Sequence, residues 1–305
     1  MLDFVIKRLA QVVIVVFLAL TVVFFLIRLS GDPVALFLPP DTSREQIEEY
    51  REVLGFNRPL YEQYGEFMGN AVKGDFGTSL KTNEDALTMV LERLPATVQL
   101  AIASLIIALV VAIPVGVLAA YKKNSVFDKF AVGVTIVGQA MPSFWLGLLL
   151  IYFFAVQMNW LPSGGSGSPI HLLLPSLTLA TYSIARFTRF TRSTMLDVLR
   201  MDYIRTAKAS GATTFSLVSK YALKNSLIPI ITLVALDLGT LLGGAVVVEM
   251  IFAWPGIGRL LMQSLLNRDF PIVMAGVFII AFIYAMINFI ADIVYAYVNP
   301  QIRVK

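Results

Sequence analysis

The chain has 305 residues, of which 57% are hydrophobic and only 14% charged, a balance far from that of soluble proteins. Its net charge of +4 is small, and the Lys and Arg sit beside apolar runs, so membrane topology accounts for them better than nucleic acid does. Without cysteine there is no disulfide, thiolate metal site or cysteine nucleophile, and a single histidine, His171, excludes multi-histidine metal sites.

Several apolar runs reach the roughly 20 residues needed to cross a hydrocarbon core of about 30 Å. The expected fold is an all-α integral membrane protein with six transmembrane helices. Lys7 and Arg8 precede the first run, Leu9 to Ile27, which is longer than a secretion-signal core and lacks a small-x-small site after it, so an uncleaved first span is expected at 8–29. Residues 30–94 form a polar segment carrying six Lys/Arg against twelve Asp/Glu. Within it Ser43-Arg44-Glu45-Gln46 fits a capping box, followed by Ile47, Tyr50 and Leu54 on one helix face and a stop at Gly55. Leu60, Tyr64, Phe67, Met68 and Val72 mark a second amphipathic helix ending near Gly74. This segment reads as a small folded cap.

The five-helix core then occupies 95–305. Span 2 is expected at 95–120 with Pro114 inside it, and span 3 at 130–158, with Gly138, Pro142 and Gly147 as bend points. A turn-rich loop, Asn159–Pro169, leads to span 4 at 170–190, the shortest and interrupted by Pro175. Span 5 is expected at 227–251, a loop at Phe252–Pro271, and span 6 at 272–297 before a tail with Arg303 and Lys305. With both termini cytoplasmic and Arg28 at the outer end of span 1 left uncounted, fifteen Lys/Arg lie inside and eight outside, six of the latter in the long acidic segment that counts for less. That asymmetry puts the cap outside and the 191–226 loop inside.

No GxxxxGK[ST] phosphate loop and no GxSxG elbow occur, and one His cannot make an HExxH pair, so the chain carries no recognisable catalytic set. Three acids fall in or near apolar spans: Asp237, Glu249 and Asp292. A charge in lipid is costly, so each should face protein or a water-filled path. Asp237 and Glu249 are candidates for lining that path; an interhelical hydrogen bond is the structural alternative, and Arg259 is a candidate partner for Glu249. Gly239 and Gly243 form a GxxxG pattern that would let span 5 pack closely, within the chain or across a dimer axis.

The most informative stretch is the basic island around Asp202–Pro229, where eight Lys/Arg from Arg186 to Lys224 accompany Asp197 and Asp202. Met201–Ser210 reads as a short helix ended by Gly211 in the left-handed region, with Thr213 or Thr214 capping a second helix in which Leu217/Tyr221 and Val218/Ala222 share a face. The tip (Ala207, Ala209, Ser210, Gly211, Ala212) is small, so another surface can approach the backbone.

This island resembles the cytoplasmic "EAA" loop of ABC-importer permeases. Arg205-Thr206-Ala207 stands where E-A-A would, and Gly211 fills the glycine position. The leading Glu is absent and Lys224 replaces a usual later proline, departures that look like the dipeptide/oligopeptide branch, with its DYIRTAKASG and ALKNSLIP forms. IKRL before span 1, Ser30-Gly31-Asp32-Pro33, LGFNRPLYEQY, Gly74-Asp75-Phe76-Gly77-Thr78-Ser79, LPSLTLA, ARFTR and VVVEMIFAWPGIGRLL are similar to the first, B-type, permease of that branch, in the same order. The resemblance implies a non-enzymatic permease in a bacterial inner membrane. It would form the path for di- or oligopeptides with a second, homologous permease. Two cytoplasmic ATPases would hold ATP and Mg, while this chain binds no cofactor, and an extracytoplasmic solute-binding protein would deliver cargo. Arg205, Thr206, Ala207, Lys208, Ala209 and Gly211 would dock on an ATPase. Relatives also carry nickel chelates, glutathione or oligosaccharides. A proton-coupled secondary transporter using Asp237 or Asp292 is the competing reading.

Overall fold

The structure is a computed structural model that describes residues 2–29, 43–53 and 57–298. Expectations placed on Gly31, Asp32, Pro33, Leu54, Gly55, Arg303 and Lys305 lie outside the described residues. Among the described residues the regular elements are all helices, apart from one isolated bridge between Thr78 and Asp85. The helices are α1 (Leu2–Leu29), α2 (Arg44–Val53), α3 (Leu60–Val72), α4 (Ala86–Tyr121), α5 (Val126–Ala140), α6 (Ser143–Leu150), α7 (Leu173–Val198), α8 (Asp202–Ala209), α9 (Thr214–Ile251), α10 (Ile257–Leu266) and α11 (Phe270–Val298). They fall into two compact units, one built from residues 2–96 with 255–286, the other from 97–254 with 287–298.

In the first unit the capping box forms as written. Gln46 N–H donates to Ser43 Oγ at 3.3 Å and Ser43 N–H to Gln46 Oε1 at 3.4 Å, starting α2. Helix α3 then runs along α1. Tyr64 stacks on Phe25 and shares a 2.8 Å hydroxyl bond with Thr21, while Phe67 stacks on Phe24. The ends of the expected α3 stripe, Leu60 and Val72, stay exposed. Gly74 and Gly77, at φ +81° and +82°, turn the chain after α3, and Asp75 Oδ1 accepts the Gly77 N–H across the second turn. The core gathers Leu20, Ala71, Phe76, Ala86, Val90, Ile257, Ile272, Ala275 and Ile279. Asp269, only 3% exposed, accepts from Ser79 Oγ at 2.6 Å and from Leu80 N–H at 3.1 Å.

Several expectations change in detail. The helix of span 2, expected from residue 95, starts earlier: α4 is 36 residues long and is started by Asp85, whose Oδ1 accepts from both Thr88 N and Thr88 Oγ1 at 2.7 Å. Span 3 is not one rod. Its halves α5 and α6 bend by 105° at Met141-Pro142, because Pro142 has no N–H to continue the ladder, and α6 ends in a π-helical turn, Ile151–Gln157. The Phe252–Pro271 segment is not a plain loop, since Ile257, Leu260, Leu261 and Ser264 give α10 an inward face. Four helices (α1, α4, α9 and α11) are long and apolar enough to cross a membrane, and the bent α5/α6 pair makes a fifth candidate. Helix α7 has the length, at 26 residues, but is rich in Ser, Thr and Arg.

In the second unit α7 is the hub, packed along α9 and α5 and against α6. Alanines make this close contact workable: Ala108 and Ala112 of α4 meet Ala180 and Phe187 of α7. At Gly116 the approach is tightest, since a Cβ there would lie 2.7 Å from Thr191 Cβ and 2.8 Å from the Thr188 carbonyl oxygen. Within this chain a Cβ on Gly243 would meet nothing within 4 Å, Gly239 is buried, and Gly244 abuts α7 at Leu179.

Candidate coupling segment and the polar ladder behind it

Helix α8 hangs between the ends of α7 and α9. Helix α7 stops at Val198, the chain turns through Leu199–Met201, and Met201 in extended backbone leads into α8. Its far end is a Schellman closure: Ala212 N–H reaches the Ala207 carbonyl and Gly211 N–H the Lys208 carbonyl, each at 3.1 Å, with Gly211 at φ +84°. Thr213 Oγ1 then accepts the Ser216 N–H and caps α9. The short helix, the left-handed glycine and the threonine cap thus sit where the sequence reading put them. The second helix, however, does not end before span 5. It passes through a π-helical stretch, Leu217–Leu223, directly into the apolar part of α9, and Pro229 lies within the continuous helix.

One side chain of α8 is fully inward. Ile204 packs with Ala120, Met195, Val198, Leu217 and Ala222, and Val218 and Tyr221 lie half-buried against the same cluster. Tyr203 OH accepts from Asn225 Nδ2 at 2.8 Å, a second tie to α9. Everything else faces outward: Arg205, Thr206, Lys208, Ala209, Ser210 and Gly211 are exposed and Ala207 half-buried. The Arg205–Asp202 pair, 3.4 Å and exposed on both sides, adds little stability. A Cβ on Gly211 would meet nothing within 4 Å, so the tip is open. The sequence reading missed Phe215, an aromatic ring 82% exposed four residues beyond Gly211. Beside the small tip it gives a large apolar knob of the type that fills a partner's pocket.

Behind α8 stands a ladder of three arginines on α7, at i, i+3 and i+6. Arg192 makes a two-pronged bond to Asp128 of α5, Nε to Oδ1 at 2.5 Å and Nη2 to Oδ2 at 2.8 Å. Arg189 bonds Gln139 Oε1, near the other end of α5. Arg186 Nη1 bonds Asp237 Oδ1 of α9 at 2.9 Å. In the sequence these three count only as cytoplasmic charge; in the fold they fasten α7 to two neighbours. Asp128 is only 2% exposed and is further held by the Asn124 N–H at 2.8 Å.

Asp237 is fully buried, and its Oδ2 accepts a 2.5 Å bond from Ser183 Oγ. Its pairing with Ser183 and Arg186 is the interhelical arrangement that a carboxylate in lipid requires. Glu249, also fully buried, accepts from Thr97 Oγ1 at 2.7 Å, and its carbonyl takes the Trp254 N–H at 2.9 Å. Nearby, the Asn159–Pro169 loop lies against the end of α9: Gly165 N–H donates to the Phe252 carbonyl at 2.7 Å, and Gly164 touches the same carbonyl so closely that a Cβ has no room. Asp292 is half-buried near the end of α11. Among the described residues no three His, Asp or Glu side chains gather as a metal site.

Long apolar helices with a short helix held out between the ends of two of them are an arrangement suited to a membrane transport component. Residues 112–304 match the family described as binding-protein-dependent transport system inner membrane component, and residues 1–101 match the family of its N-terminal portion. The chain belongs to this family: it is a multi-pass, inner-membrane permease of an ABC importer, in the dipeptide/oligopeptide group. The glutathione transport system permease protein GsiC of Escherichia coli is 39% identical over 306 residues, with all of both chains covered, and GsiC of Shigella dysenteriae serotype 1 matches equally. Among solved structures, two inward-facing crystal forms of the MetNI methionine ABC transporter share the fold at TM-scores of 0.55 and 0.57. Each is 18% identical and covers 69% of this chain and 96% of its own.

Proposed function

We propose that this permease carries small peptides, glutathione-like tripeptides included, and is driven through α8 by a cytoplasmic ATPase. The chain works beside a second, homologous permease; two ATPase subunits hold ATP and Mg; a solute-binding protein delivers cargo to the extracytoplasmic cap. Six spans follow if the bent α5/α6 pair and the polar α7 each count as one, which returns both termini to the cytoplasm.

The observation that carries the proposal is the mounting of α8. It is anchored by Ile204, leaves Arg205, Thr206, Lys208, Ala209 and Gly211 open, and connects without a slack linker to α7 and α9. A pull on α8 therefore acts on both helices at once, and the α7 arginines pass it to α5. Bistable packing of this bundle would be what ATP and cargo bias in opposite senses. Asp237 and Glu249 lie along the helices that move, Asp237 behind Ser183 and Glu249 at the far end of α9. Relatives named as glutathione permeases support peptide-class cargo. The test is reconstitution: uptake of a tripeptide should need the ATPases, the second permease and ATP. Uptake by this chain alone on an ion gradient would overturn the reading in favour of a secondary transporter.

A further inference from the structure

The α5/α6 break falls in the middle of an apolar stretch, and non-helical backbone at membrane depth persists only where protein buries it or water reaches it. Discontinuous helices in transporters therefore point to where cargo passes. Here a cavity of about 280 Å³ opens at the break, between α5, α6, α7 and α9. Its lining differs from the apolar grooves on the outer side of α5, which are walled by Val126, Phe130, Val134 and Val137. Six hydroxyl-bearing residues line it, Ser143, Thr178, Thr181, Tyr182, Ser183 and Thr240, and no charged residue does.

The hydroxyl protons at the centre are already committed. Thr178 donates to the Leu174 carbonyl and Thr181 to the Leu177 carbonyl, both at 2.8 Å, and Ser183 donates to Asp237. What these three oxygens have left is lone pairs, so Thr178, Thr181 and Ser183 accept hydrogen bonds and do not donate them. Asp237, one bond behind Ser183, adds negative charge that Arg186 partly offsets.

We infer that this cavity is a cargo-contact site that takes the N–H groups of a peptide, its backbone amides or its amino terminus, and disfavours anionic groups. The inference rests on the peptide-importer reading and names a site within it. The volume accommodates a segment of a peptide, at the low end of small-ligand pockets of about 300 Å³.

The experiment uses the assembled importer in proteoliposomes, with trialanine and S-methylglutathione as cargo and their N-acetylated forms as competitors. Thr181→Val keeps the shape and removes one acceptor. It should raise KM about 2- to 10-fold, the value of one hydrogen bond, with peptide-independent ATPase activity unchanged. The control Thr194→Val, whose hydroxyl bonds the Phe190 carbonyl outside the cavity, should leave KM alone. Because the chain has no cysteine, Thr240→Cys gives it a single thiol. A water-soluble maleimide should label it, and transported cargo should slow that labelling more than the N-acetyl competitor does. An unchanged KM in Thr181→Val, or labelling by membrane-permeant maleimide alone, would show a cavity facing lipid and overturn the inference while leaving the importer intact. Failure of the wild type to take up either peptide would instead remove the peptide reading, and this inference with it.

Discussion

The Arg192–Asp128 link is the firmest mechanical joint between α7 and α5, and its removal gives a graded, measurable loss. Arg192→Met keeps the length and apolar stem of the side chain but strips both bonds, at 2.5 and 2.8 Å, from a carboxylate only 2% exposed. Breaking a buried pair from one side costs about 3–5 kcal/mol. Two features lower that here: the Arg192 side chain is 25% exposed, and the Asn124 N–H still serves Asp128. We expect a loss of about 2–3 kcal/mol in equilibrium unfolding in mixed micelles. Asp128→Leu combined with Arg192→Met removes the stranded charge and should recover most of that loss, while leaving ATP hydrolysis poorly coupled to uptake. The reasoning fails if Arg192→Met unfolds like the wild type, or if the double variant is worse than the sum of the singles.

Other consequences are as direct. Gly164→Ala drives a Cβ to within 2.4 Å of the Phe252 carbonyl oxygen, which is backbone and cannot swing aside, so the loop at 159–169 should detach and become protease-sensitive. Gly116→Ala pushes α4 off Thr188 and Thr191 of α7 and should cost about 1–3 kcal/mol in the same unfolding assay. Asp85, at the start of α4, is held below the ordinary carboxylate range by bonds from the Thr88 hydroxyl and then the Thr88 amide. Its stabilisation is thus complete above the unfolded value near about 3.9 and is lost as pH falls through the lower folded value. The stability gap between wild type and Asp85→Ala should accordingly close on acidification below about pH 4. Asp237→Asn keeps hydrogen bonds to Ser183 and Arg186 within reach, so ATP-driven uptake should persist at a changed rate; complete loss would favour a proton-carrying role.

What could be read from the chain was what local chemistry dictates. Gly211 and Thr213 bracket a turn whose conformation depends on neighbours a few residues away, and Ser43 and Gln46 satisfy each other within one helical turn. The family resemblance likewise rested on ordered local strings. The arginine ladder was hidden because its partners lie 50 to 64 residues away, where charge counting registers only topology. Pro142 announced a bend without an angle, since the lost hydrogen bond permits many and packing selects 105°. Helix α10 escaped notice because its ten residues sit between Pro255-Gly256 and Asp269, which read as loop. Helix α7 falls short of a span's hydropathy because hydroxyls and arginines make up much of it, and these find partners within the protein, as Arg186 does in Asp237.

The central claim is that α8 is the handle by which an ATPase moves the bundle. Its most direct test is a pull-down of the cognate ATPase subunits by wild type, Gly211→Ala and Gly211→Trp. Both variants bear the strain of a side chain at φ +84°, but only tryptophan adds bulk to the open tip. The account predicts that wild type and Gly211→Ala retain the ATPases and Gly211→Trp releases them, with the membrane helices still folded. Retention by Gly211→Trp at wild-type strength, with ATP-driven uptake intact, would contradict it.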